Sequence, residues 1–295
     1  MDNGKKNINN QSDKFKDPME IIAGTYIDWG KSKEQVWLEL EKRMESSEPV
    51  KVRIMFSPWI KVAMAAVFVL LAGFSVFMEL YTKTFVVPVA QHSMSYLPDG
   101  SSVQLNAQSS ISYKPLLWGF SRNVRFEGEA FFEVKKGRKF QVISNNGKTE
   151  VLGTSFNIYA RDNDYNVTCI TGNVKVIESK NNQAAILDPG EKATLNKEGN
   201  LIVQSGSDKE QALLWMNNKL NFTSVPLTNV FKEIERQYGI YISIPENLVN
   251  IYTGTFRIDN PVEQTLDLVC KPFDLSFTVK SKNEYVITRN EQNTN

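Results

Sequence analysis

The sequence predicts a membrane-anchored multidomain protein: short cytoplasmic α-helices, one transmembrane helix, an all-β domain (a sandwich or roll) and an α+β C-terminal domain. Three observations predict this order. An uncharged apolar run occupies residues 62–78, short β-rich segments fill residues 84–204, and residues 213–290 contain an internal repeat. The 295-residue chain is otherwise polar. Its formal net charge of +1 gives no indication of direct nucleic-acid binding.

The apolar run "VAMAAVFVLLAGFSVFM" extends with its flanks over residues 59–81, which is long enough to cross a bilayer core. Trp59 and Tyr81 suit the headgroup level and Lys61 can reach water, so these three residues are the predicted membrane-interface anchors. The run has no polar stripe, which argues against a surface helix. About 60 preceding residues argue against a cleaved signal peptide, and the flanking aromatic and charged residues argue against a buried core helix.

Basic residues near the apolar run are concentrated on its N-terminal side. That side carries Lys42, Arg43, Lys51, Arg53 and Lys61. Over a similar length, the C-terminal side carries only Lys83. The positive-inside rule therefore places residues 1–57 in the cytoplasm and everything after Tyr81 outside.

Residues 1–57 are expected to form two short helices after a polar N-terminal stretch. The first begins at Asp17-Pro18, and the second begins in "SKEQ", where Ser32 and Gln35 match a capping box. So small a segment cannot bury its own apolar stripe. The stripe belongs to a small helical hairpin, rests on the membrane surface or docks on a cytoplasmic partner. The candidate partner-binding residues are Trp29, Val36, Trp37, Leu40 and Met44.

Residues 84–204 show turn signals about every 8–12 residues, which is typical of an antiparallel all-β domain. Pro98-Asp99-Gly100, Asn146-Gly147 and Pro189-Gly190 are three of them, and "NVRFEG" shows the alternation of a half-buried strand. In "VLGTSFNIYA", Gly153 and Thr154 interrupt a strand. They indicate either a bulge with close backbone approach or a strained peptide that the Thr154 hydroxyl can attack.

Residues 213–290 contain two copies of a strand–helix–strand pattern. Aligning Pro226 with Pro261 places Phe231 on Leu266, and the following apolar positions match as well. The pattern predicts a compact α+β domain built from duplicated βαβ units. In the second copy, "NPVE" matches an N-cap, a proline at the first helical position and a capping-box Glu263.

The chain has few residues suited to catalysis or metal binding. Its single histidine, His92, lies in a polar run and is expected to be solvated, and no carboxylate pair suggests general acid–base chemistry. We therefore expect no enzyme activity apart from self-cleavage at Gly153-Thr154, no cofactor and no metal. Cys169 and Cys270 either pair in an oxidising compartment or are buried as small apolar residues.

The order of these segments, with their motifs, resembles the FecR family of transmembrane anti-sigma factors in the form common in Bacteroidetes. "WGKSKEQVWLELEKRM" resembles the inner helix of the family. "YLPDGSSVQLNAQSSISY", "RFEGEAFFEVKK" and "FQVISNNGKTEVLGTSFNIYA" resemble its periplasmic FecR domain. "LNFTSVPLTNVFKEIERQYGIYISI" and "YTGTFRIDNPVEQTLDLV" resemble its C-terminal domain, itself similar to the short N-terminal domain of secretins and TonB-dependent transporters.

The resemblance implies a function in signal transduction and transcription regulation at the inner membrane. Residues 1–57 would bind a cytoplasmic extracytoplasmic-function (ECF) sigma factor, with Trp29, Val36, Trp37, Leu40 and Met44 as the contact residues. Residues 59–81 would span the membrane. The FecR domain, residues 84–204, and the C-terminal domain, residues 213–290, would meet the periplasmic signalling domain of a TonB-dependent outer-membrane transporter. Some relatives cleave themselves at a Gly-Thr bond, which Gly153-Thr154 matches.

One alternative remains open at this point. The main alternative is a membrane-anchored adaptor of the cell envelope, whose outer domains recognise carbohydrate or a periplasmic partner without control of a sigma factor.

Overall fold

The computed structural model of the protein describes residues 30–46, 58–196, 198–207 and 209–290. Two compact units, Met1–Ala65 and Ala66–Asn295, are treated separately. The first predicted inner helix at Asp17-Pro18 and the candidate residue Trp29 lie outside the described residues.

The first described helix, α1, spans Lys33–Glu45 and begins with the capping box that the sequence predicts. The Gln35 backbone N–H donates to Ser32 Oγ at 3.3 Å, and the Ser32 N–H donates to Gln35 Oε1 at 3.0 Å. Glu34 lies in the first turn and Lys42 and Arg43 in the last turn, so the charges complement the helix dipole. No residue of α1 is buried.

The second helix, α2, spans Pro58–Leu80 and contains the apolar run. Its 23 residues extend over about 35 Å, slightly more than the hydrocarbon core of a bilayer. Among the described helices, α2 alone is long and apolar enough to cross a membrane, and none of its residues is buried. The predicted boundaries 59–81 and the helix agree to within one residue at each end.

The described part of residues 83–204 forms thirteen strands in two connected sheets. They are β1 Lys83–Val87, β2 Ser93–Tyr96, β3 Ser102–Leu105, β4 Ser109–Tyr113, β5 Arg122–Glu133, β6 Phe140–Ile143, β7 Gly147–Val151, β8 Ser155–Arg161, β9 Asp164–Thr171, β10 Val174–Glu178, β11 Ala184–Leu187, β12 Lys192–Leu195 and β13 Leu201–Gln204. One sheet has the order β1-β4-β5-β6-β7-β10-β11, and the other has the order β2-β3-β5-β8-β9-β12-β13.

The long strand β5 belongs to both sheets and connects them. Its first half pairs with β4 and β6, and its second half pairs with β3 and β8. Gly128 lies where β5 passes from one sheet to the other. Its φ is +116°, and a Cβ there would come within 2.6 Å of Ser109 Cα. The Ser109 hydroxyl accepts the Glu129 N–H at 3.0 Å in the space that the glycine leaves. Only glycine satisfies both the backbone angle and this close approach.

The two sheets enclose one apolar core. Phe132, Phe140, Phe156 and Tyr165 are among its largest fully buried side chains, and the rings of Phe132 and Phe156 stack with centroids 5.1 Å apart. Nearly every second residue of β5 is buried in this core, as the alternation in "NVRFEG" predicts. The domain is therefore a β-sandwich with a shared strand.

The C-terminal domain follows a 3₁₀ segment at Gln211–Asn217. Its elements are β14 Lys219–Pro226, α3 Leu227–Tyr238, β15 Tyr241–Ser243, β16 Ile251–Arg257, α4 Val262–Cys270, β17 Leu275–Ser281 and β18 Glu284–Arg289. The strand–helix–strand order occurs twice, as β14-α3-β15 and β16-α4-β17. The paired apolar positions Phe231 and Leu266 are both fully buried in one core.

The strands of each copy do not form βαβ units. β14 pairs with β16, whereas β15 and β17 lie on either side of β18. The two strands of one copy therefore belong to different sheets. The local pattern specifies each element, but strand partners depend on contacts between the copies, so the prediction of βαβ pairing is wrong.

The predicted capping box of the second copy is also wrong. α4 begins at Val262 with Pro261 as its N-cap and without a side-chain cap. The Glu263 carboxylate instead accepts a hydrogen bond from the Tyr285 hydroxyl of β18 at 2.7 Å. The Glu263 carboxylate thus binds a hydroxyl from a distant strand and not the N–H of the predicted N-cap residue.

Candidate functional site

The candidate partner-binding residues of α1 form an exposed apolar stripe. Trp37 is 63% exposed and Met44 is 71% exposed, and Val36 and Leu40 are exposed beside them. Their spacing places all four within one half of the helix surface, whereas the equally apolar Leu38 lies on the opposite half. Because no residue of α1 is buried, these side chains present apolar area to solvent. Such a stripe can fill a groove on another protein.

The predicted membrane anchors lie at the two ends of α2. Trp59 is 81% exposed at the N-terminal end, and Lys61 follows it by half a turn. At the other end, the Tyr81 ring stacks on Phe77 with centroids 5.9 Å apart. The positions suit two aromatic side chains at the two headgroup levels of a bilayer.

A buried polar network joins the β-sandwich to the C-terminal domain. At its centre is Glu129 of β5, which accepts hydrogen bonds from Asn106 Nδ2 at 2.8 Å and from Asn157 Nδ2 at 3.1 Å. Asn157 Oδ1 in turn accepts from Trp215 Nε1 at 3.2 Å, and Asn106 Oδ1 accepts from Gln237 Nε2 at 2.9 Å. Trp215 and Gln237 belong to the C-terminal part, so the network connects the two domains.

Histidine 92 also lies in this contact. Its Nε2 is 3.0 Å from Gln237 Oε1, and its ring meets the Trp215 ring edge to face at 5.6 Å. The expectation that His92 is simply solvated is therefore wrong. The polar run of the β-sandwich that contains His92 is covered here by α3 of the C-terminal domain.

The charge of Glu129 is unfavourable in this network. Burial, and secondarily the nearby Glu233 carboxylate, raise the pKa of Glu129 to about 7. Arg161 and the two amide donors act in the opposite direction without cancelling the burial. Burial also lowers the pKa of Lys192, on strand β12 of the same sheet. The contact between the domains thus contains a carboxyl group that can change its charge near neutral pH.

Sequence reasoning missed this network. "RFEGEAFFE" contains three glutamates with the same alternation, and nothing local separates Glu129 from Glu127 or Glu133. Glu129 lies on the face of β5 that points away from the sandwich core, together with Phe131, which packs against the C-terminal core. The outward face of a strand becomes an interior only when a second domain covers it.

Comparison with known proteins identifies the two folded domains. Residues 84–175 match the family model described as FecR protein, and residues 219–287 match the model described as FecR, C-terminal. The chain carries both domains of the FecR family. No curated protein matches it.

Two crystal structures of candidate anti-sigma factors from Parabacteroides distasonis ATCC 8503 resemble the same region. One, at 2.50 Å resolution, superimposes with a TM-score of 0.65 and 26% identity, covering 71% of this chain and 100% of its own. The other, at 1.65 Å resolution, gives a TM-score of 0.64 and 26% identity, covering 70% of this chain and 99% of its own.

Within the FecR domain, Gly153 and Thr154 form a tight connection between β7 and β8. Gly153 has φ +153°, and a Cβ on it would lie 2.5 Å from Lys136 Cα. This is the close backbone approach that a glycine in a strand indicates. Thr154 is 5% exposed, and its buried Oγ1 has no hydrogen-bond partner among the described residues. Burial of a hydroxyl without a hydrogen-bond partner lowers the stability of the fold. This hydroxyl belongs to Thr154, whose backbone nitrogen forms the peptide bond with Gly153.

The two cysteines of the FecR and C-terminal domains are separate buried thiols. Burial raises the pKa of Cys169 to about 11 and that of Cys270 to about 12. Both are therefore protonated and unreactive at neutral pH. No group of three or more potential metal ligands occurs in the part of the chain that the structure describes.

Proposed function

We propose that this protein is a transmembrane anti-sigma factor that relays a signal from a TonB-dependent outer-membrane transporter to a cytoplasmic ECF sigma factor. The observation that carries the proposal is the arrangement of an exposed apolar stripe on α1, a membrane-length helix and two FecR-family domains in one chain. The similarity to candidate anti-sigma factors supports a role in sigma regulation.

In this proposal the stripe of α1 docks in a groove of the sigma factor, on the cytoplasmic side of the inner membrane. Trp29, Val36, Trp37, Leu40 and Met44 supply the contact. A bound sigma factor is kept from RNA polymerase, so the protein acts on transcription without touching DNA. The FecR and C-terminal domains lie in the periplasm and receive the signalling domain of the transporter. Apart from self-cleavage, no catalysis and no cofactor is required.

Signalling requires that the transporter bind the two outer domains differently in two states. The buried polar contact around Glu129 supplies a candidate for the element that changes. When the domains separate, its polar side chains can exchange their mutual hydrogen bonds for hydrogen bonds to water. Separation of the two domains is the second state that this proposal requires.

The experiment that tests the proposal uses residues 1–57 as a tagged fusion to capture proteins from a cell lysate. We expect an ECF sigma factor among the retained proteins, and we expect the Trp37→Ala, Leu40→Ala double variant to lose it. Retention of no sigma factor would favour the alternative of a cell-envelope adaptor. The Leu38→Ala variant is the matched control because Leu38 is equally exposed on the other side of α1.

A second activity, self-cleavage at Gly153-Thr154, is favoured by the unpaired Thr154 hydroxyl and the special backbone of Gly153. Thr154 Oγ1 would add to the carbonyl carbon of Gly153, and the C–N bond between the two residues would break. The nitrogen takes up a proton and becomes the amino group of Thr154, leaving an ester. Hydrolysis of the ester by water gives a Gly153 carboxylate and a free Thr154 hydroxyl.

The test is intact-mass spectrometry of the purified chain. Self-cleavage predicts a fragment that begins at Thr154. A single species of full length, even after prolonged incubation, would leave Gly153 with its structural role alone.

A further inference from the structure

The FecR domain is attached to α2 by a very short connection. Only Tyr81 and Thr82 separate the last residue of α2 from Lys83, the first residue of β1. The three Cα–Cα steps from Leu80 to Lys83 span at most about 11 Å. The end of the sheet at which β1 begins therefore lies next to the C-terminal end of α2.

Strand register identifies the loop that shares this end of the sheet. β1 runs antiparallel to β4, and Lys83 pairs with Tyr113, the last residue of β4. The chain that follows β4, residues 114–121, thus leaves the sheet beside the start of β1. An ion pair between Lys114 Nζ and Glu79 Oε1, in the last turn of α2, confirms the proximity.

This loop exposes apolar side chains although it is firmly held. Trp118 is buried and packs edge-on against Tyr113 and Phe140, with centroids 5.4 and 6.0 Å apart. On either side of this anchor, Phe120 is 82% exposed and Leu116 is 42% exposed. The packing of the domain does not explain why a firmly held loop exposes the Phe120 side chain to solvent.

Neighbouring loops extend the apolar surface and surround it with positive charge. Arg138 donates through its guanidinium to the Gly119 carbonyl, and the Gly137 N–H donates to the Leu152 carbonyl at 2.8 Å. Leu152 is 62% exposed, and Lys136 and Arg138 are exposed beside it. We call Leu116, Phe120 and Leu152, with Lys136 and Arg138, the membrane-proximal tip.

We propose that the membrane-proximal tip inserts into the lipid headgroup region of the membrane that α2 crosses. Apolar side chains next to lysine and arginine are the composition of segments that lie in a bilayer interface, where cations meet lipid phosphates. The tip lies at the correct level because the two-residue connection and the Glu79–Lys114 ion pair hold it at the end of α2. The inference rests on the membrane span of the proposed function.

The inserted tip fixes the FecR domain on the bilayer surface. Without it, the domain would rotate about the connection at Tyr81 and Thr82. With it, the domain has one orientation, and its far side, with the C-terminal domain, faces away from the membrane. A signalling partner then meets the side of these domains that faces away from the membrane, in one fixed orientation.

The test uses the full chain in proteoliposomes that contain anionic lipid and a nitroxide quencher on the acyl chains. A polar fluorophore is attached to one introduced cysteine at a time: Leu116→Cys in the tip, Phe68→Cys within α2, or Tyr241→Cys on β15. Tyr241 is 75% exposed and serves as the matched surface control. The native Cys169 and Cys270 are buried and protonated, so they compete little for the label.

We expect loss of fluorescence at positions 68 and 116 and none at 241. Adding Phe120→Ser to the Leu116→Cys chain should restore the fluorescence at 116 and leave position 68 quenched. Quenching at 68 but not at 116 would overturn the tip proposal while the span stands, and would favour a protein partner for this surface. Quenching at neither position would overturn the membrane span and the tip proposal together. Persistent quenching at 116 after Phe120→Ser would overturn the role of Phe120.

Discussion

The buried carboxyl of Glu129 predicts that the protein loses stability as the pH rises through neutrality. A carboxyl whose pKa is raised in the folded state, here from 4.5 to about 7, holds its proton more tightly than in the unfolded chain. The resulting stabilisation is complete below pH 4.5 and is lost as the pH rises through about 7. At about 1.4 kcal/mol per pKa unit, the free energy of unfolding should fall by about 2 to 3 kcal/mol between about pH 5 and pH 8.

The assay is urea denaturation of the full chain in detergent at the two pH values, for the native protein and two variants. Glu129→Gln removes this titrating group, so the difference between its two unfolding free energies should be about 2 to 3 kcal/mol smaller than in the native protein. Glu133→Gln changes an exposed glutamate of the same strand, and it should keep the native difference. The comparison uses only differences between pH values, so a general loss of stability in either variant does not affect it. Equal stability of the native protein at both pH values, or an unchanged difference in Glu129→Gln, would show that Glu129 is not a carboxyl with a raised pKa in the folded protein.

Three further predictions test the fold, the sigma contact and the cleavage. Gly128→Ala should lower the free energy of unfolding by about 3 to 5 kcal/mol, because the new Cβ would collide with Ser109 at a backbone position of positive φ. Gly119→Ala is the control, because nothing lies within 4 Å of its added Cβ. Equal thermal midpoints for the two variants would contradict the shared-strand architecture. Trp37→Ala should weaken sigma binding by about 2 kcal/mol, or about 30-fold in Kd, measured by calorimetry; an equal loss in Leu38→Ala would show that the stripe is not the contact. Thr154→Ala should abolish any fragment beginning at residue 154 while Thr154→Ser keeps it, and a fragment in Thr154→Ala would assign the cut to a protease.

Features set by neighbours in the chain were predictable from the sequence. The capping box at Ser32 and Gln35, the limits of α2 and the alternation of β5 each depend on residues within one or two turns of one another. The internal repeat likewise placed Phe231 and Leu266 in a core. In these cases, local geometry and hydrophobic period determine the structure.

Features set by distant contacts were not predictable. α4 begins after Pro261, which has no backbone N–H for the Glu263 carboxylate to accept, and Glu263 instead binds the Tyr285 hydroxyl of a distant strand. β14 pairs with β16, a strand of the other copy. The burial of Glu129 and the contact of His92 arise only because the C-terminal domain covers one face of the sandwich. A single sequence contains no signal for such a covering surface.

The polar contact around Glu129 and the membrane-proximal tip suggest a division of roles between the FecR and C-terminal domains. The tip would hold the FecR domain on the bilayer, while the Glu129 contact holds the C-terminal domain against it. A partner that binds the C-terminal domain could then move it away from a FecR domain that stays fixed on the bilayer. In the proposed function, the signal would reach α1 through α2, and a single helix would transmit it by position, association or proteolysis.

The most direct test of the central claim is photo-crosslinking in living cells with a crosslinking amino acid in place of Trp37. We expect an adduct between this protein and an ECF sigma factor, and we expect the amount of adduct to fall when the substrate of the transporter is supplied. An adduct that contains only lipid or proteins unrelated to transcription, or a sigma adduct whose amount ignores the substrate, would contradict the central claim.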